Sequence, residues 1–90
     1  MRISVDFHPK AEREWRKLDP EIRRRFERKL KLLIDDALEP EKLRPPLSGY
    51  FKLKLQGSGY RLVYTFLDKG EIFVLAVGRR DTAYLVALNR

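Results

Sequence analysis

The chain has 90 residues, with 20 Lys+Arg against 13 Asp+Glu, a formal net charge of +7, no Cys and a single His. Without Cys there is no disulfide framework, thiol nucleophile or zinc–thiolate site, and one imidazole excludes His-pair metal sites. At 43% hydrophobic and 37% charged residues the chain is too apolar for a disordered basic tail and too polar for a membrane protein; its length fits one small domain, residues 1–90.

Residues Met1 to Phe7 alternate Ile3, Val5 and Phe7 with Arg2, Ser4 and Asp6, which predicts a half-buried strand. The same stretch lacks the apolar core of a signal peptide. No apolar run in the chain approaches the roughly 18 residues that span a bilayer. A soluble cytoplasmic domain is expected, and the basic excess favours a polyanionic partner. Pro9 stands where a helix can begin, and Ala11, Trp15 and Leu18 mark one face of a short helix. Asp19-Pro20 restarts the pattern as N-cap and first helical residue. Ile22, Phe26, Leu30, Leu33, Ile34 and Ala37 then form a helical stripe that ends near Leu38. Glu39 to Leu47 is proline-rich and reads as a loop.

From Tyr50 to Phe73 the period becomes two, with turns at Gln56-Gly57-Ser58-Gly59 and Asp68-Lys69-Gly70. The last strand, Glu71 to Gly78, is almost continuously apolar, as a strand covered on both faces would be. Tyr84, Leu85 and Leu88 have helical spacing, so the tail is a short helix or a docked extension. The expected fold is α+β with the order β-α-α-β-β-β. It comprises a small, mainly antiparallel sheet, a helical hairpin on one face and the C-terminal tail or helix.

A two-residue turn on Gly57-Ser58 would set Leu55 opposite Tyr60 and Lys54 opposite Arg61. A turn on Lys69-Gly70 would set Leu67 opposite Ile72, Tyr64 opposite Leu75 and Arg61 opposite Gly78. Opposed residues share a face. The core face then collects Leu53, Leu55, Tyr60, Leu62, Tyr64, Phe66, Phe73, Leu75 and Val77. The other face collects Lys52, Lys54, Arg61, Val63, Thr65, Val74, Ala76 and, by parity, Arg80. Cations directly opposite one another are destabilising unless solvated or matched by an anion. A solvated face is the simple reading. The absence of acids there, and the apolar residues between the cations, favour an anion-binding face.

A second basic tract, Arg23, Arg24, Arg25, Arg28, Lys29 and Lys31, lies on the long helix. It can be a solvated face paired with Glu21, Glu27 and Asp35, or a phosphate-contacting one. His8 reads as a loop residue, and Trp15 as core. The glycines of the Gln56–Gly59 turn precede no helix and so form no nucleotide-binding loop.

The runs Glu14-Trp15-Arg16-Lys17-Leu18, Tyr50-Phe51-Lys52-Leu53-Lys54-Leu55, Ser58-Gly59-Tyr60-Arg61-Leu62-Val63-Tyr64 and Ala76-Val77-Gly78-Arg79-Arg80 resemble the RelE toxin family, within the wider RelE/ParE superfamily, over nearly the whole chain. The resemblance implies a toxin of a type II toxin–antitoxin pair that enters the ribosomal A site and cuts the mRNA codon there. It places Lys52, Lys54, Arg61 and Arg80 at the family's catalytic positions and Tyr84 at its base-stacking tyrosine. It implies contact of the basic helical tract with ribosomal RNA, a RelB-like antitoxin that is acidic or amphipathic, and no metal or other cofactor. The antitoxin would lie on the basic, apolar sheet face or displace the tail.

The chemistry is attack of a 2′-OH on the adjacent phosphate, which needs a base, stabilisation of charge on phosphorus and protonation of the 5′-oxygen. With His and Glu missing from the site, Lys54 is the candidate base, because its cationic neighbours disfavour its charged form; Lys52 supports it. Arg61 would hold the phosphate, and Arg80 would stabilise the transition state. Two other outcomes fit the resemblance: a ParE-like gyrase inhibitor, and an inactive RNA- or ribosome-binding relative.

Overall fold

The computed structural model describes residues 5–67 and 71–90. Met1 to Ser4 and the expected turn at Asp68–Gly70 lie outside the described residues. Strand β1 (Val5–Phe7) leads into helices α1 (Pro9–Arg16) and α2 (Pro20–Ile34). Strands β2 (Glu41–Lys42), β3 (Phe51–Lys54), β4 (Tyr60–Phe66) and β5 (Ile72–Arg79) follow, and helix α3 (Arg80–Leu88) comes last. They build one five-stranded sheet in the order β1-β5-β4-β3-β2, antiparallel except where β1 lies parallel to β5.

The helix starts follow from their caps. His8 caps α1, its Nδ1 accepting from the Lys10 N–H at 3.1 Å, and Asp19 caps α2, its Oδ1 accepting from the Glu21 N–H at 2.9 Å. His8 is therefore a helix cap as well as a linker residue. Helix α2 stops at Ile34, before the expected Leu38. Asp36 adopts φ 58°, and the Ala37 and Asp36 N–H groups bond back to the carbonyls of Leu32 (2.8 Å) and Leu33 (3.1 Å). That is a left-handed helix end in which Asp takes the place usually filled by Gly. The region read as loop contains the two-residue strand β2, which pairs Glu41 with Lys52 and Lys42 with Phe51.

The hairpin β3–β4 has the expected register, Leu53 opposite Leu62 and Lys54 opposite Arg61. Its loop is longer than the two residues expected. The Ser58 N–H bonds the Leu55 carbonyl at 3.1 Å around Gly57 at φ 80°, the conformation a type II turn requires at its third position.

The β4–β5 register is as expected only near Arg61, which faces Gly78. Val63 faces Ala76 but Tyr64 faces Val74, so Leu75 is an extra, bulged residue and Phe66, not Leu67, faces Ile72. The bulge corrects the assigned faces. Ile72 and Val74 pack with the helical hairpin, whereas Phe73 and Leu75 lie on the opposite side. The continuous apolar run of β5 carries no face information, and both faces are covered, so a one-residue slip exposes nothing.

Two cores result. Under α1 and α2, Phe26, Leu30, Leu53, Leu62, Tyr64 and Val74 are buried, with Trp15 packed between Phe7 (ring centroids 5.4 Å) and Phe26 (6.3 Å). On the other face α3 lies over Val63, Leu75 and Ala76. Its buried side consists of Ala83 and Ala87, while Leu85 is 63% and Leu88 48% exposed. The tail is thus a helix, but its small residues, not the leucines of the expected stripe, approach the strands.

Tyr64 is fully buried, and its hydroxyl has no hydrogen-bond partner among the described residues. Burial, and secondarily the charge of Glu41, pushes its phenol up to about 12. An acid whose folded-state value exceeds its unfolded one contributes full stability below the unfolded value of about 10 and loses it as pH rises. Wild type should therefore lose stability between about pH 10 and pH 12 through this group, and Tyr64→Phe should not. At neutral pH the same variant should be as stable as wild type or up to about 1–2 kcal/mol more so, since an unpaired buried hydroxyl is removed. Denaturant titrations at both pH values check this; a large loss at neutral pH would mean the hydroxyl is bonded.

Candidate active site

Alternation places the candidate cations. On β3 the side chains of Phe51 and Leu53 enter the core under the helical hairpin, so Lys52 and Lys54 emerge on the α3 side. Arg61 emerges beside them because it stands directly opposite Lys54. The Leu55 N–H bonds the Tyr60 carbonyl, so Lys54 and Arg61 form the adjacent, non-hydrogen-bonded kind of pair. Such pairs bring Cα atoms to about 4.5 Å, the closest approach in an antiparallel ladder. Both residues line one open cavity of about 290 Å³ together with Leu55, Gln56, Gly57 and Gly59. The Arg61 guanidinium is half-buried and donates to the Tyr60 carbonyl at 2.9 Å, which fixes it along its own strand.

Arg80 begins α3, and its backbone N–H donates to the Gly59 carbonyl at 2.8 Å. The helix therefore starts against the rim of that cavity, although Arg80 itself does not line it. Its neighbour Arg79 stands opposite Tyr60 and stacks on that ring at 4.9 Å, which puts Arg79 on the helical-hairpin side of the sheet. Lys52, one pleat from Lys54, opens instead onto a second cavity of about 410 Å³, shared with Tyr84 of α3 and the 42–47 segment.

The five candidates thus fall into two adjoining groups: Lys54 and Arg61 at the hairpin end, with Arg80 beside it, and Lys52 with Tyr84 in the groove. Sequence reasoning missed Lys42 and Arg44, which line that groove, because they were assigned to a featureless loop. It also missed an acid on this face, Glu41, set opposite Lys52 by β2. Nor is the face an open concave surface: α3 buries Val63 and Ala76, and the Thr65 hydroxyl donates to the Gly49 carbonyl at 2.8 Å. Lys54 and Arg61 are not among the residues packed in the core under the helix. At their end of the face phosphate oxygens would meet the anchored Arg61 guanidinium, the exposed Lys54 ammonium and the positive end of α3.

The basic tract of α2 divides. Arg24 reaches Glu21 at 3.8 Å on the surface, Arg23 reaches the Arg16 carbonyl at 3.4 Å, and Arg28 and Lys31 are exposed. Arg25 and Lys29 turn to the hairpin, donating to the carbonyls of Gln56 (2.9 Å) and Lys54 (2.8 Å).

Comparison with known proteins agrees with this architecture. The family model described as the ParE toxin of the type II toxin–antitoxin system parDE matches residues 5–84. The mRNA interferase toxin RelE of Escherichia coli is 41% identical over 94 residues, covering 100% of this chain and 98% of the relative. An arginine-to-alanine double mutant of that toxin in the free state superposes with a TM-score of 0.81 at 38% identity, covering 100% of this chain and 98% of the other. The toxin in the intact E. coli RelBE toxin–antitoxin complex gives 0.73 at 39% identity over 87% of this chain and 96% of the other. The chain belongs to the RelE/ParE family, the toxins of type II toxin–antitoxin systems.

Proposed function

We propose that this toxin is an mRNA interferase, an endoribonuclease that cuts mRNA in the ribosomal A site and so stops translation in the cytoplasm. The observation that carries the reading is the Lys54–Arg61 pair, directly opposed and lining one open cavity. It is supported by 41% identity to a relative named an mRNA interferase.

Lys54 takes the proton of the 2′-OH. The 2′-oxygen forms its bond to phosphorus as the bond to the 5′-oxygen breaks, and the leaving 5′-oxygen takes a proton from water, which gives a 2′,3′-cyclic phosphate and a 5′-OH. Arg61 binds the phosphate and the charge it gains in the transition state. Arg80 adds positive charge at the leaving oxygen, and Lys52 supports Lys54 electrostatically. Tyr84 stacks on a base in the adjoining groove. Arg23, Arg24, Arg28 and Lys31 supply phosphate contacts to ribosomal RNA. With no side chain of ordinary pKa near neutrality in this set, alignment by the ribosome supplies much of the acceleration.

The partner that restrains the toxin is an acidic or amphipathic antitoxin of the RelB kind. Since α3 occupies the sheet face, such a partner binds around α3 or displaces it.

The test is primer extension on mRNA from a purified translation reaction given the toxin. Cuts confined to A-site codons are expected. The family model's ParE name favours a second reading, inhibition of gyrase; a DNA-supercoiling assay inhibited by this protein, with mRNA intact, would establish it instead. Ribosome binding without cuts at any codon would identify an inactive relative.

A further inference from the structure

We propose that Arg25 and Lys29 are positioning residues for the reaction, a brace from α2 that fixes the backbone carrying Lys54. This rests on the cleavage chemistry above. One turn apart on α2, both point at the hairpin. Lys29 donates to the Lys54 carbonyl at 2.8 Å and Arg25 to the Gln56 carbonyl at 2.9 Å.

The Lys54 carbonyl needs such a partner. In a trans peptide the carbonyl points opposite to the following N–H, and the Leu55 N–H points at Tyr60 of β4. The Lys54 carbonyl therefore faces away from β4, toward the side where β2 reaches only as far as Lys52. Among the described residues no strand pairs it there, and Lys29 takes the place of one. Arg25 does the same inside the turn. On the opposite side of the turn, the Arg80 N–H holds the Gly59 carbonyl and Arg79 stacks on Tyr60. The peptide that follows Lys54 is thus held by α2 on one flank and by Tyr60 of β4 on the other, and the start of α3 holds that end of β4 in turn.

Both α2 bonds are solvent-accessible, so water can replace them with little effect on folding. Their effect falls on the placement of Lys54, where misplacement of about 1 Å is costly to a reaction. A contact to ribosomal RNA by the same two side chains makes the opposite demand, because it governs binding and its salt dependence.

The experiment compares wild type, Arg25→Ala/Lys29→Ala and Arg25→Lys/Lys29→Arg. Single-turnover cleavage is read on saturating ribosomes, ribosome affinity at several salt concentrations, and amide hydrogen exchange on the free toxin. The brace predicts that the alanine pair slows cleavage at saturation about tenfold, with affinity and salt slope unchanged, and that the conservative pair restores the rate. It also predicts about tenfold faster exchange at Leu55 in the alanine pair. Weakened binding with a shallower salt slope and an unchanged saturated rate would overturn it, as would unchanged exchange at Leu55. If wild type itself fails to cut, the cleavage reading falls, and the exchange measurement still decides whether the brace exists.

Discussion

Lys54→Ala is expected to lower A-site cleavage by about 10²–10⁴-fold, the range for losing a general base, while ribosome binding changes little. A loss of that size alone does not separate a base from a positive charge. Lys54→Arg does. It preserves the charge and roughly the reach, but a guanidinium is never deprotonated in a protein. If Lys54 removes the 2′-proton, Lys54→Arg fails as badly as Lys54→Ala. If Lys54 only balances phosphate charge, the Arg variant keeps most of the activity and the base must be sought elsewhere. Arg61→Lys provides the contrast. Its role is charge on the phosphate, so a lysine there should retain part of the rate, and Arg61→Ala should lose about 10²–10³-fold. Single-turnover rates on programmed ribosomes, with binding measured in parallel, give all four comparisons. Equal activity of Lys54→Ala and wild type would remove the hairpin pair from the mechanism.

The pair was legible in the sequence because β3 and β4 alternate cleanly. Leu53 and Leu62 are buried while Lys54 and Arg61 are not, so a one-residue slip would put leucines in water. The same logic failed on β5, where every residue from Ile72 to Val77 is apolar. Alternation there carries no signal, and the bulge at Leu75 moved Phe73, Val74 and Leu75 to the faces opposite those expected. Helix α3 was legible as a helix but not in its seating, because Ala83 and Ala87 are weak markers of a buried stripe beside Leu85 and Leu88. The seating of α3 has a consequence for the site: of the apolar residues that the alternation sets among the cations, Val63 and Ala76 are the floor on which α3 lies, and Val74 faces the helical hairpin instead. The division of the α2 basic tract into surface and hairpin-facing residues was invisible for a different reason. Arg and Lys look alike in sequence whether they end in solvent or on a carbonyl 25 or more residues away.

The largest expected effect on stability lies at Glu14→Ala, away from the cations. Strand β1 pairs with β5 only as far as Val74, so beyond it one edge of β5 is open where the chain turns into α1. The Leu75 carbonyl and the Val77 N–H face that edge. The carbonyl accepts from Arg90 at 2.9 Å, and the N–H donates to Glu14 at 3.1 Å. Arg90 and Glu14 then bind each other through paired contacts of 3.0 and 2.8 Å. The fork thus replaces the missing strand at the bulge and ties the residues after α3 to α1. With Arg90 only 10% and Glu14 28% exposed, truncating the acid strands a mostly buried guanidinium and an edge N–H together. Breaking such a pair costs more than the pair itself contributes, because the remaining charge is desolvated without compensation. A loss of about 2–4 kcal/mol is expected, which in a domain of this size lowers Tm by roughly 10 °C or more. Glu14→Gln should fall between, since an amide oxygen still accepts from Val77 while the charge on Arg90 goes unmatched. A double-mutant cycle with Arg90→Ala separates the coupling from the truncations; strictly additive losses would show that the two side chains act independently and that the edge, not the ion pair, sets the stability. Because the hairpin brace runs through α2 and not through Glu14, cleavage at saturating ribosomes should fall less than tenfold in Glu14→Ala at temperatures where it is folded.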